Sequence, residues 1–149
     1  DLTNKNLIII PTRSIPEGIS AAISFNPDGS VEENTEAMND AIKGVKSGSV
    51  TYVVRDTHVD GFDLSVGEII GLDDKAILAK GKLVSETTEA LVERMMSEEI
   101  MNITLFYGED IREEEANALA EKLAEKYPDC EVTAAFGGQP VYYYLVSLE

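Results

Sequence analysis

Residues 102–136 read as strand, helix and strand in close succession. Two strands joined through a helix pair in parallel, so this block already restricts the fold. Asn102–Tyr107 (NITLFY) is the first strand, and Gly108-Glu109-Asp110 lies at its C-terminal end. Ile111–Tyr127 is the clearest helix: Glu113, Glu114 and Glu115 open it, and Ala116, Leu119, Ala120 and Leu123 recur at helical spacing as an inner stripe. Pro128-Asp129 ends the helix and Glu131–Phe136 is the next strand. Gly137-Gly138-Gln139-Pro140 turns the chain into a final strand, Val141–Leu148.

The earlier chain alternates in the same way. Asn6–Pro11 (NLIIIP) is a continuous apolar run, the pattern of a strand buried on both faces. Ser14 and Glu17 form an S-x-x-E capping box with Pro16 in the first turn. They predict a helix to about Ser24, with Ile15, Ile19, Ala22 and Ile23 inward. Thr12, Arg13 and Ser14 then lie on a strand-to-helix turn, either an anion-binding geometry or a plain cap. Asn26-Pro27-Asp28-Gly29 is a turn, and Ser30 with Glu33 opens a helix from Val31 to about Lys46. Its inner face is Ala37, Met38, Ala41, Ile42 and Val45, and Ser47-Gly48 ends it.

Ser49–Leu72 begins as a β-branched strand, with Val50, Tyr52 and Val54 alternating with Thr51, Val53 and Arg55. It breaks into a polar cluster, Arg55, Asp56, Thr57, His58 and Asp60, closed by Gly61. The segments FDLSV, GEIIGL and KAILAKGKL follow as short strands, with a turn at Asp73-Asp74. Ser85–Ile100 is a helix whose apolar side is Leu91, Val92, Met95 and Met96. Strands alternating with helices argue an α/β fold. The expectation is a single domain over residues 1–149, with a mixed, partly parallel sheet flanked by helices and a small antiparallel β appendage.

The net charge of −16 repels nucleic-acid backbone and anionic membrane, and reads either as favouring a basic protein partner or as a plain solvated acidic surface. A single cysteine, Cys130, excludes an intramolecular disulfide and reads as a small core hydrophobe. No apolar run reaches the ~20 residues of a membrane span, and no signal peptide is present. The expected compartment is the cytoplasm. The opening at Asp1 rather than Met fits a fragment of a larger protein.

Catalytic signatures are missing. His58 has no G-x-S-x-G serine to activate, zinc has too few soft ligands, and neither glycine-rich phosphate motif occurs. Arg55, Asp56, Thr57 and Asp60 remain as candidate binding residues, with Gln139 and Tyr143. Either Asp56 caps a turn while Arg55 pairs with a carboxylate, or the loop recognises a partner through a bidentate Arg55 contact. Gln139 offers a side chain from the glycine turn. Tyr142, Tyr143 and Tyr144 are consecutive, so at least one faces opposite to its neighbour.

RDT-x-x-DG at Arg55–Gly61, G-E-x-I-G at Gly67–Gly71 and GGQPVYYYL at Gly137–Leu145 together resemble the C-terminal domain of the ATP-binding component of bacterial fatty acid kinases, proteins long described as dihydroxyacetone-kinase-like. The resemblance runs from about Asn6 to Glu149. It implies a non-catalytic C-terminal piece of a larger kinase, one that docks a fatty-acid-loaded carrier of the DegV family. The acyl group is then phosphorylated in a separate domain that binds ATP and magnesium, to an acyl phosphate used in phospholipid synthesis. It implies no cofactor, metal or catalytic residue in this chain. The alternative is a small-molecule-binding or enzymatic α/β domain with its site at the Arg55–Asp60 loop.

Overall fold

The computed structural model describes residues 5–149. The chain divides into two compact units, one up to Val45 and one from Lys46 to Glu149.

In the first unit, α1 (Ile15–Ile23) begins at Ser14, whose hydroxyl accepts from Glu17 N–H at 3.2 Å. The Glu17 carboxylate in turn accepts from Arg13 N–H, so the Thr12–Ser14 turn is bonded as a cap. Helix α2 (Val31–Lys43) has the full Ser30–Glu33 capping box. The helix ends at Gly44, short of the expected Lys46, and Ser47-Gly48 belongs to the following strand. The expected inner faces are corrected too. Ile15 and Ile23 are exposed, while Pro16 and Ala21 of α1 and Asn34 of α2 are buried.

Asn34 replaces an apolar contact with a polar clasp. Its Oδ1 accepts from Asn26 N–H at 2.7 Å, and its Nδ2 donates to the Asn26, Gly29 and Ser30 carbonyls at 2.8, 3.2 and 3.1 Å. That fastens the 26–30 turn to α2. Asn34→Ala leaves several of these backbone groups without partners, and we expect a loss of about 1–3 kcal/mol. Hydrogen exchange should quicken at Asn26–Ser30 and leave the second unit unchanged.

Asn6–Pro11 is not a strand, which corrects the sequence expectation. An apolar β-former needs a partner edge to become a strand, and among the described residues no strand pairs with it. Its period of two survives. Leu7 and Ile9 are 80% and 79% exposed, whereas Ile8 and Ile10 line a groove with Phe25, Val31 and Met38.

The second unit is a six-stranded sheet with strands β1 (Lys46–Tyr52), β4 (Ile69–Asp73), β5 (Ile77–Gly81), β6 (Asn102–Tyr107), β7 (Glu131–Phe136) and β8 (Tyr144–Leu148). Their spatial order is β5-β4-β1-β8-β6-β7, and only β6–β7 is parallel. The expected crossover through α4 (Glu113–Lys126) is therefore present, and β4–β5 is an antiparallel hairpin on the main sheet. The appendage is a separate pair, β2 (Thr57–Val59) and β3 (Phe62–Leu64). Asp60 (φ 53°) and Gly61 (φ 80°) make its turn, the positive-φ pair that suits a right-twisted hairpin.

The register puts Val50, Val146, Leu105 and Ala134 on one face of successive strands. Helices α3 (Val84–Met95) and α4 both pack on that face, through Leu91, Val92 and Met95 and through Ala116, Leu119, Ala120 and Leu123. Gly71 lets α3 approach closely, since a Cβ there would lie 2.9 Å from Leu91 Cβ. Ion pairs Lys122–Glu89 (2.6 Å) and Lys126–Glu93 (2.8 Å) bridge the two helices. Helix α3 stops at Met95, so Ile100 enters the core from a loop. Cys130 also packs against the core, and its thiol donates to Ile100 O at 3.2 Å.

Candidate partner interface at one end of the sheet

The strand directions bring five connections to one end of the sheet: those after β1, β5, β6 and β7, and the one into β4. Tyr52 ends β1 opposite Ile69, the first residue of β4. Tyr144 opens β8 opposite Val50 and Tyr107, and Tyr107 and Phe136 end β6 and β7 side by side. Sites in α/β sheets gather beyond the C-terminal ends of parallel strands. Here that rule singles out Gly108 and Gly137, after β6 and β7. It does not apply to β1, which is antiparallel to both neighbours.

The Gly137–Tyr143 connection is bonded throughout. Gly137 N and Gly138 N donate to Tyr107 O at 2.9 and 3.2 Å, and Glu109 N donates to Gln139 O at 3.2 Å. Gln139 Nε2 donates to Phe106 O at 2.9 Å and to Tyr142 O at 3.4 Å, bracing the loop from inside. Thr51 Oγ1 donates to Val141 O at 2.8 Å, and Tyr143 N donates to Val50 O at 2.8 Å. Tyr142 N donates to Pro140 O at 2.8 Å, closing a γ-turn on Val141 at φ 72°. A β-branched residue at positive φ is strained, and strain of this kind collects at functional sites. Sequence reasoning missed it because valine is the residue least expected there.

This end also carries exposed apolar side chains. Phe136 is 70% exposed, with its ring 5.4 Å from that of Tyr107, and Val141 and Tyr142 are 52% and 41% exposed. Tyr52 and Val54 are exposed on the neighbouring strand end. Tyr143 is half-buried, its ring 6.0 Å from that of Tyr52, and Tyr144 is fully inside. The consecutive tyrosines thus range from outside to inside. Phe136, Tyr52 and Val54 were not legible as surface, because each sits in a strand-like run.

Arg55 lies just beyond β1. Its guanidinium makes no ion pair or hydrogen bond among the described residues, so of the two readings the internal carboxylate pair is not found among them. Asp56 does cap a turn, its Oδ1 accepting from Val66 N–H at 2.8 Å. Thr57 is exposed and pairs across the hairpin with Leu64. His58 Nδ1 meets Asp63 Oδ1 at 2.7 Å. Asp60 is carried away from Arg55, its Oδ2 accepting from Ile77 N–H at 2.9 Å at the start of β5. Arg55 and Asp56 thus follow β1, and Gln139 and Tyr143 precede β8, beyond the same end of the sheet, whereas Asp60 bonds at the start of β5.

Glu68 ties this end together. Ser65 N–H bonds its carboxylate at 2.8 Å, and Lys80 Nζ lies 3.5 Å from it. The Ser65 bond foremost, and the Lys80 charge after it, hold Glu68 below the usual carboxylate range. A depressed carboxylate lends stability above its ordinary pKa and loses it as pH falls through the lowered value. We expect the 65–68 turn to hold through mild acid and to loosen only as pH falls below the ordinary carboxylate range, followed by the Ser65 amide in an NMR pH titration.

A model of the FakA-like C-terminal family (the C-terminal region of the fatty acid kinase A component and similar proteins) matches residues 1–149. The chain belongs to this family. Protein YloV of Bacillus subtilis is 39% identical over 148 residues, 99% of this chain and 27% of the relative. Uncharacterized proteins of Staphylococcus haemolyticus and Staphylococcus aureus are 39% and 38% identical, with the same 99% and 27% coverage. The chain therefore spans about a quarter of the length of these curated relatives. Among the described residues of this kinase-family domain, no helix is long and apolar enough to cross a membrane. No cluster of three or more metal-ligating side chains forms among them either.

Proposed function

We propose that this domain is the docking module of a cytoplasmic fatty acid kinase. Its sheet end would seat a fatty-acid-loaded carrier of the DegV family, and the acyl carboxylate would be phosphorylated by a separate domain holding ATP and magnesium. The product would be an acyl phosphate destined for phospholipid synthesis. The reading rests on one observation: exposed Phe136 at the end of β7 and exposed Val141 and Tyr142 on the loop that follows it, a loop locked by its own hydrogen bonds. Aromatic anchors on a rigid scaffold are what binding hot spots are made of. Arg55, just beyond β1 at the same end of the sheet and without an ion pair among the described residues, is the group that a carboxylate on the partner would meet.

The alternative ligand site at Arg55–Asp60 is less favoured, because Asp56, His58 and Asp60 all bond within the domain. Arg55→Ala separates the two readings. We expect about threefold weaker carrier binding, from the lost carboxylate contact, and an unchanged fold. Loss of affinity for a small molecule, with carrier binding intact, favours the alternative. The charge of −16 further predicts that carrier association slows as salt is raised. A rate constant equal at low and high salt removes that electrostatic contribution.

A further inference from the structure

A groove of about 470 Å³ runs between α3 and α4. Val84 of α3, Ala118 and Leu119 of α4 and Ile111 just before α4 form its apolar walls, and Tyr144 of β8 lines it. That volume is in the range of small-molecule sites. Tyr144 is 2% exposed, yet its hydroxyl makes no hydrogen bond among the described residues. The hydroxyl is not sealed off either, since the closed, unpartnered buried oxygen among these residues is that of Tyr127. A buried hydroxyl without a protein partner, open to a groove, is a polar group awaiting an occupant.

The charged groups decide what kind. Glu89, Glu115 and Lys122 line the groove. Lys122 is engaged with Glu89 at 2.6 Å, and Glu115 with Arg112 at 2.7 Å. Among the described residues, no lining cation is left to receive an anion. Burial, and then the Glu115 charge, push the Tyr144 hydroxyl up to about 12, so at neutral pH it is a donor.

We infer that the α3–α4 groove binds a small uncharged amphiphile such as an alcohol, ester or amide, its apolar body between the helices and its oxygen accepting from the Tyr144 hydroxyl. This site is separate from the sheet-end patch and from the Arg55 loop, so it stands or falls apart from the docking reading.

The test is an NMR titration of the chain with 1-octanol, and separately with octanoate. With 1-octanol, the Val84, Ala118 and Tyr144 resonances should shift saturably, and octanoate should bind more weakly. Tyr144→Phe keeps the ring and removes the hydroxyl, and should weaken 1-octanol binding about three- to tenfold. Ala118→Leu fills the exposed mouth and should abolish the shifts. The inference is overturned if 1-octanol leaves the groove unperturbed, if octanoate binds as well, or if Tyr144→Phe binds as tightly as the parent.

Discussion

Gly108→Ala should unseat the loop that carries the exposed aromatics. An added Cβ would lie 2.3 Å from Tyr142 O and 2.6 Å from Gln139 O, both main-chain atoms that no rotamer change can move aside. To make room, the loop must give up Gly108 N–H to Tyr143 O at 2.9 Å, Glu109 N–H to Gln139 O at 3.2 Å, or both. We expect a loss of about 3 kcal/mol, the upper end for forcing extra volume into a packed site. For a chain of this size that lowers the melting temperature by roughly 10 °C. Carrier binding should fall with it, because those bonds tether Gln139 and Tyr143 on either side of the γ-turn on Val141. A Gly108→Ala protein that melts with the parent and binds normally would show that the loop is not held as described.

Phe136→Ala combined with Tyr142→Ala should do the reverse, weakening binding with little effect on folding. Both side chains are largely in solvent, at 70% and 41% exposure, so truncation removes little buried surface. The ring contact between Phe136 and Tyr107 at 5.4 Å is the main internal loss, and such pairs contribute about 0.5–1.5 kcal/mol. At a binding centre, by contrast, an aromatic anchor carries about 2 kcal/mol or more. We therefore expect the carrier dissociation constant to rise about 30-fold or more for the double variant, with a melting shift of only a few degrees. Surface plasmon resonance and differential scanning calorimetry on the same preparation read both quantities. Undiminished binding would move the docking surface elsewhere on the domain.

Much of the second unit was legible because its signals are long and consistent. The α4 stripe of Ala116, Leu119, Ala120 and Leu123 is buried as its spacing implies. The strand on either side of α4 falls where the β-branched and aromatic runs place it. Glycine misled the reading of β1. Gly48 looks like a helix stop, but it lies inside the strand, on the face where α3 packs. Asn6–Pro11 misled it differently, since an apolar run says what a segment can bury and not whether a strand edge is there to receive it. The start of β8 came three residues later than expected, at Tyr144, because Gln139 and the Val141 γ-turn hold the preceding residues as a loop.

The candidate site was harder to read for a physical reason. Which strand ends share an edge depends on the order β5-β4-β1-β8-β6-β7, a long-range property with no local signal. Arg55 and Gln139 were visible as polar residues in loops. That one is unpaired and the other braces its own loop follows only from their neighbours in space. Asp60 shows the converse: five residues from Arg55 in the chain, it bonds to β5 and leaves the cluster.

The central claim, that this domain docks a fatty-acid carrier without help from the ATP-binding domain, is tested most directly by isothermal titration calorimetry. This chain would be titrated with a fatty-acid-loaded DegV-family carrier in the absence of nucleotide. The account predicts a saturable one-to-one heat with a dissociation constant in the micromolar range or tighter, weakened in the Phe136→Ala/Tyr142→Ala variant. Absence of binding to a carrier shown to be loaded and folded, or binding indifferent to both substitutions, would contradict it.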